Sequence, residues 1–152
     1  MSIKNYVGAR AETPKEEHQI LVKDIMTTNL ILFRPDQNVH DAMELLIKNK
    51  ISGGPVADSD GKLVGMISEG DCIKEISHCK YYNIPMATHK LSDFMITDVH
   101  TIKPTTDIFE LGNQFHKQKI RRFPVVDQGK LVGQVSQFDV LKAILTSKHQ
   151  LW

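Results

Sequence analysis

The chain has 152 residues, 41% apolar and 24% charged, a globular composition with room for one ordinary domain or two very small ones. Lysine plus arginine number 19 against 18 aspartate plus glutamate, a formal net charge of +1. A near-neutral chain carries no general field for nucleic acid or an anionic membrane, so neither is expected as a partner and any anion site must be local.

Apolar runs are far too short to cross a bilayer, and residues 1–15 carry no apolar core of the signal-peptide kind. The two cysteines, Cys72 and Cys79, do not suggest a disulfide scaffold. A reducing, cytoplasmic setting is expected.

Residues 1–19 read as an N-terminal extension of weak patterning, with a short helix possible over 15–21. From there the chain is written twice. Gly61-Lys62-Leu63-Val64-Gly65 recurs as Gly129-Lys130-Leu131-Val132-Gly133. Asp24, Met26, Thr28, Pro35 and Ile51 recur as Asp93, Met95, Thr97, Pro104 and Ile120. Pro55-Val56, Ser68 and Asp71 recur as Pro124-Val125, Ser136 and Asp139. The pattern divides the chain into a repeat at 20–77, an irregular linker at 78–90 containing Pro85, a repeat at 91–146 and a tail at 147–152.

In the first repeat a β-rich run at 30–33 leads to a turn at Pro35. A helix follows, because Val39, Ala42, Met43 and Leu46 fall at i, i+3, i+4 and i+7 behind the N-cap residue Asn38. A short strand at 55–57, a turn at Ser59-Asp60-Gly61 and a strand from Leu63 into Ser68 read as a hairpin. A helix over 69–77 closes the repeat. The second repeat matches it: a run at 99–102, a turn at Pro104, and an N-cap at Asp107 before Ile108, Leu111, Gly112 and Phe115. A hairpin through Gln128-Gly129 and a helix over 137–147 complete it. The fold class is therefore α+β (α/β-type), β-α-β-β-α twice. Neither copy is long enough for a good core alone, so the two are expected to pack as one pseudo-symmetric module.

Three features occur twice in the same order: Asp24-Ile25-Met26 and Asp93-Phe94-Met95, the Pro-Val strand before a glycine turn, and the Gly-x-x-Ser-x-x-Asp junctions ending at Asp71 and Asp139. In this the sequence resembles a tandem pair of cystathionine-β-synthase-type (CBS) domains, the Bateman module, over nearly all of 22–145. The resemblance implies a stand-alone regulatory module and no enzyme. It implies clefts between the repeats that bind an adenosyl ligand, AMP, ADP, ATP or S-adenosylmethionine, with no other cofactor required. A homodimer through the amphipathic helices is also implied, with an unidentified protein target as the receiver of the signal.

The residues at the two strand-to-helix junctions support two readings. Ser followed three residues later by Asp is a good reciprocal N-terminal cap. A carboxylate there also takes two ribose hydroxyls together, and the matching Asp of CBS pairs holds ribose. The segments before the core prolines differ: Ile51-Ser52-Gly53-Gly54 in one copy, Ile120-Arg121-Arg122-Phe123 in the other. The glycines suit a tight turn or a close backbone approach to a ligand. The adjacent arginines suit phosphate, ordinary surface charge, or an acid across a dimer.

The resemblance therefore implies two unequal sites. The main one gathers Asn29, Leu30, Ile31, Ile51, Ser52, Arg121, Arg122, Val135, Ser136 and Asp139. The second gathers Ile67, Ser68, Asp71, Thr97, His100 and Ile120, with Arg121 near enough to serve either. The alternative function is a structural or interaction module with vestigial clefts. The seven histidines show no zinc spacing. Cys72, His78 and Cys79 lie close in sequence without a second ligand pair, so no metal site is expected. No catalytic triad, Walker loop or Rossmann fingerprint is present.

Overall fold

The structure, a computed structural model, describes residues 19–147. Its elements in chain order are α1 (Val22–Ile25), α2 (Val39–Asn49), β1 (Gly53–Ala57), β2 (Leu63–Ser68) and α3 (Glu69–Tyr82), then a 3-10 turn (Met86–Thr88). The second half gives α4 (Leu91–Phe94), α5 (Ile108–Gln118), β3 (Arg122–Asp127), β4 (Lys130–Ser136) and α6 (Gln137–Thr146). Helices and two small antiparallel sheets, β1–β2 and β3–β4, make an α+β fold repeated twice.

The caps read from sequence are formed. Asn38 Oδ1 accepts the Asp41 N–H at 3.0 Å, and the Asp41 carboxylate accepts the Asn38 N–H at 3.4 Å. Asp107 accepts the Phe109 N–H at 2.8 Å. Each cap satisfies donors that a helix start leaves unpaired. Lys50 and Lys119 end α2 and α5 in the left-handed region, at φ 52° and 54°. Gly61 and Gly129, at φ 77° and 80°, close the two hairpins, a conformation open to glycine at no steric cost.

Three expectations need correction. The runs at 30–33 and 99–102 are not strands. Only Phe33 and Ile102 bridge, parallel to Val56 and Val125. Pro35 and Pro104 open turns two residues later, so the extended pairing stops at a single bridge. Helix α3 runs past Ser77 to Tyr82, where Asn83 caps it in the left-handed region at φ 54°. The segment 78–90, expected as irregular linker, thus begins as helix. Of the short helix expected over 15–21, residues 15–18 lie outside the described residues. Residues 19–21 are not helical, and Leu21 instead bridges Asp107.

The repeats exchange their opening segments. In α1 the Val22 N–H donates to the Thr106 carbonyl at 2.8 Å and the Lys23 N–H to Pro104 at 2.9 Å. In α4 the Leu91 N–H donates to Gln37 at 2.7 Å and the Ser92 N–H to Pro35 at 3.0 Å. Val22 is accordingly buried with Leu111, Phe115, Phe123, Val125 and Val135 of the second repeat. Leu91 is buried with Phe33, Val39, Leu46, Val56 and Ile67 of the first. Neither core is complete without the opening segment of the other repeat, so apolar burial holds the two as one unit. The acid in each Asp-x-Met opening caps its own helix turn, with Asp24 and Asp93 accepting the backbone N–H of Leu21 and Lys90, both at 2.9 Å.

Candidate functional site

A cleft of about 600 Å³ opens between the repeats, within the size range of small-molecule sites. One wall is the end of β2 and the start of α3, with Ile67, Ser68 and Asp71; the other carries His100, Lys119, Ile120, Arg121 and Arg122. The β2–α3 junction holds the reciprocal cap. Asp71 Oδ2 accepts from Ser68 Oγ at 2.6 Å and from the Ser68 N–H at 2.8 Å, while Ser68 Oγ accepts the Asp71 N–H at 3.2 Å. The second junction repeats this with Ser136 and Asp139 at 2.8, 2.7 and 3.3 Å.

Both bonds to each carboxylate use Oδ2. Among the described residues nothing donates to Oδ1 of Asp71 or Asp139. The capping role and a ligand role are therefore compatible, one oxygen for each. The guanidinium groups of Arg121 and Arg122, which line the same cleft as Asp71, form no ion pair or hydrogen bond with any described residue. Unpaired guanidinium forks in one cleft with a half-buried carboxylate suit a ligand that carries both hydroxyls and an anion.

Of the residues expected together at the second site, Ile67, Ser68, Asp71, His100 and Ile120 line this cleft; Thr97 does not, although both its neighbours Ile96 and Asp98 do. Ser52, Arg121 and Arg122, expected beside Asp139, line it too. Asn29, Leu30, Ile31, Val135, Ser136 and Asp139 do not, and Ile51 faces an apolar groove between α2 and α3 instead. The internal symmetry still relates the two regions. Thr27 pairs with Gln134 as Ile96 pairs with Met66, which sets residues 29–31 against the Ser136 junction as 98–100 stand against Ser68. The Arg121 carbonyl accepts the Gln137 N–H at 3.0 Å, as the Ser52 carbonyl accepts the Glu69 N–H at 2.9 Å. Arg121 is thus tied by its backbone to one junction while lining the cleft of the other.

The glycines have a packing reason. Gly53 and Gly54 form no turn; they pair within the sheet with Ser68 and Ile67. A Cβ on Gly53 would lie 2.6 Å from the Ile67 carbonyl oxygen, and one on Gly54 would lie 2.9 Å from the Phe33 ring. Sequence reasoning missed Asp98, Val99 and Lys119, which also line the cleft. The repeat offset pairs Asp98 and Val99 with Asn29 and Leu30, so applying it to those two would have found them. Next to Asp71, Cys72 is buried in the first core. Burial and then the Asp71 charge push its thiol from 9.0 up to about 11, so it is protonated and unreactive at neutral pH.

No helix among the described residues is long and apolar enough to cross a membrane. An uncharacterised protein of Methanocaldococcus jannaschii is 35% identical, the match covering 83% of this chain and 92% of that one. An inosine-5'-monophosphate dehydrogenase of the same organism is 30% identical, but the match spans 26% of its length. Among solved structures, CBSX2 in complex with AMP is 31% identical at a TM-score of 0.73, covering 85% of this chain and 98% of that one. The CBS domain pair of MJ0100, in complex with 5'-methylthioadenosine and S-adenosyl-L-methionine, is 28% identical at a TM-score of 0.69, covering 83% and 96%. The CBS domain description itself matches residues 22–78 and again 91–146, so the chain belongs to the CBS-domain family as a tandem pair.

Proposed function

We propose that this CBS pair is a regulatory sensor of an adenosyl ligand, not an enzyme, and that the ligand lies in the cleft between the repeats. The observation that carries this is the unused Oδ1 of Asp71 in a cleft that two unpaired arginines also line. In this reading Asp71 holds the ribose hydroxyls, Ser68 orients it, and Arg121 and Arg122, with Lys119, meet the phosphate. The AMP complex of CBSX2 and the S-adenosyl-L-methionine complex of the MJ0100 pair support the ligand class. A second site at Ser136 and Asp139, with Asn29, Leu30, Ile31, Ile51 and Val135, completes the pair. Because Arg121 and Arg122 line the Asp71 cleft, that cleft is the tighter one for a phosphorylated ligand.

Binding across two repeats that share their cores shifts the balance of module conformations, and a partner reads that shift. Ile47, Ile73, Phe138 and Leu141, on α2, α3 and α6, are large, apolar and exposed. Exposed large apolar side chains on helices favour association, and we assign them to a homodimer. A purely structural dimer with inert clefts is the competing reading. A thermal-shift panel of AMP, ADP, ATP, S-adenosylmethionine, NAD, GMP and adenosine separates them. At about 100 times its dissociation constant a ligand adds roughly 2.7 kcal/mol, a rise of about 5–10 °C for a domain of this size. A shift confined to adenosyl compounds supports the sensor. No shift with any of them, for protein shown to be free of nucleotide, favours the structural reading.

A further inference from the structure

Glu75, His78 and Cys79 stand at i, i+3 and i+4 on α3, a spacing that puts three side chains on one helix face. One ligand atom from each lies within 4.8 Å of the other two. Cys79 Sγ is 3.6 Å and His78 Nδ1 3.9 Å from Glu75 Oε1. Zinc bond lengths near 2.0–2.3 Å place tetrahedral donors about 3.3–3.7 Å from one another, so the set needs little contraction to close on an ion. Cys79 is buried, Glu75 nearly so, and His78 is half exposed, which leaves one side open to solvent.

A second element supports the cluster. Past the Asn83 cap the chain turns back through Met86–Thr88 and brings His89 to α3, where its Nδ1 contacts Glu75 Oε1. The rings of His78 and His89 are 6.3 Å apart. Ligating carboxylates are characteristically held by such a hydrogen-bonded partner. Spacing along the sequence did not reveal this arrangement. His89 lies ten residues beyond Cys79, and Cys72, grouped with His78 and Cys79 by proximity, belongs to the first core instead.

We propose that Glu75, His78 and Cys79 bind a divalent transition-metal ion of the zinc class, with His89 positioning the Glu75 carboxylate. Thiolate, imidazole and carboxylate together suit zinc or cobalt and do not suit magnesium or calcium. The ion would brace one face of α3 near its C-terminal end, where His89 packs against Glu75. This site is independent of the nucleotide reading, since none of its four residues lines the cleft.

The test uses the full chain, stripped with a chelator and titrated with Co²⁺ and then Zn²⁺. One Co²⁺ per chain should give a thiolate-to-cobalt charge-transfer band that Zn²⁺ bleaches. The band should persist in Cys72→Ala and vanish in Cys79→Ser. His78→Gln, at a half-exposed position, should weaken Zn²⁺ binding more than about 10-fold without disturbing the fold. His89→Gln should keep the band but weaken Zn²⁺ about 10–100-fold, with the melting of the metal-free protein unchanged. Absence of the band in the wild type would overturn the site. So would a band and Zn²⁺ affinity that survive intact in both Cys79→Ser and His78→Gln.

Discussion

Met95 is seated on Gly65: a Cβ at residue 65 would fall 2.6 Å from Met95 Sδ and 2.9 Å from the Ile96 carbonyl oxygen. The second repeat mirrors this, with Gly133 under Met26 at 2.7 Å and under the Thr27 carbonyl oxygen at 3.0 Å. The methionine of each Asp-x-Met opening and the glycine of each Gly-x-x-Ser junction are thus two halves of one contact, made across the repeats. That contact holds the exchanged segment against the strand that ends in the helix-capping serine.

Gly65→Ala should therefore destabilise by about 1–3 kcal/mol through overpacking. Met95→Ala, which trims a partly buried side chain, should cost about 2 kcal/mol. The double variant should lose at least about 1 kcal/mol less than the sum, because removing the sulfur relieves most of the clash. Relief is partial, since the Ile96 carbonyl stays. Urea denaturation of the four proteins measures the coupling, and losses that simply add would show that the two residues do not share a contact.

Cys72 sets a stability change in the alkaline range. Its folded pKa lies near 11 against an ordinary 9.0, raised by burial and then by Asp71. Below pH 9 the thiol is protonated in both states and contributes no slope. Between pH 9 and 11 the unfolded chain releases the proton and the folded chain does not, so stability falls as pH rises. Cys72→Ala should remove that part of the slope, whatever it does to stability at neutral pH. Parallel stability curves for wild type and variant from pH 8 to 11 would refute the assignment.

The arginines should read the phosphate and not the nucleoside. Arg121→Ala and Arg122→Ala are expected to weaken AMP by about 10–100-fold, the worth of a charged hydrogen bond, while adenosine binding changes little. Raising the salt concentration should weaken AMP more than adenosine. Equal losses for the two ligands would assign the arginines to packing or to a dimer contact.

What the sequence disclosed follows from the range of each signal. Caps at Asn38, Asp107, Ser68 and Ser136 act over three residues, and helix periodicity acts over ten, so both were legible. Helices α1 and α4 are single turns, too short for a period. Their placement depends on hydrogen bonds from Val22 and Leu91 to the other repeat, which no local pattern records. The end of α3 was hidden because His78, Lys80, Tyr81 and Tyr82 are exposed and polar or aromatic, leaving Cys79 as the one buried residue beyond Ile76. At the site, the junction residues were legible through duplication. That Arg121 could serve either junction was legible too, but the place of Arg122 in the Asp71 cleft was not, because it arises from the way the two repeats pack together.

Whether the Asp71 carboxylate holds a ribose in this cleft is tested most directly by calorimetry with AMP on the wild type, Asp71→Asn and Asp139→Asn. Asparagine keeps an oxygen for the helix cap while removing the charge. Asp71→Asn is expected to weaken the tighter site by at least about 10-fold, a charged hydrogen bond being worth roughly 1.5–3 kcal/mol, with unchanged circular dichroism. Asp139→Asn should affect the weaker site alone. Full AMP affinity at both sites in both variants would contradict the ribose role.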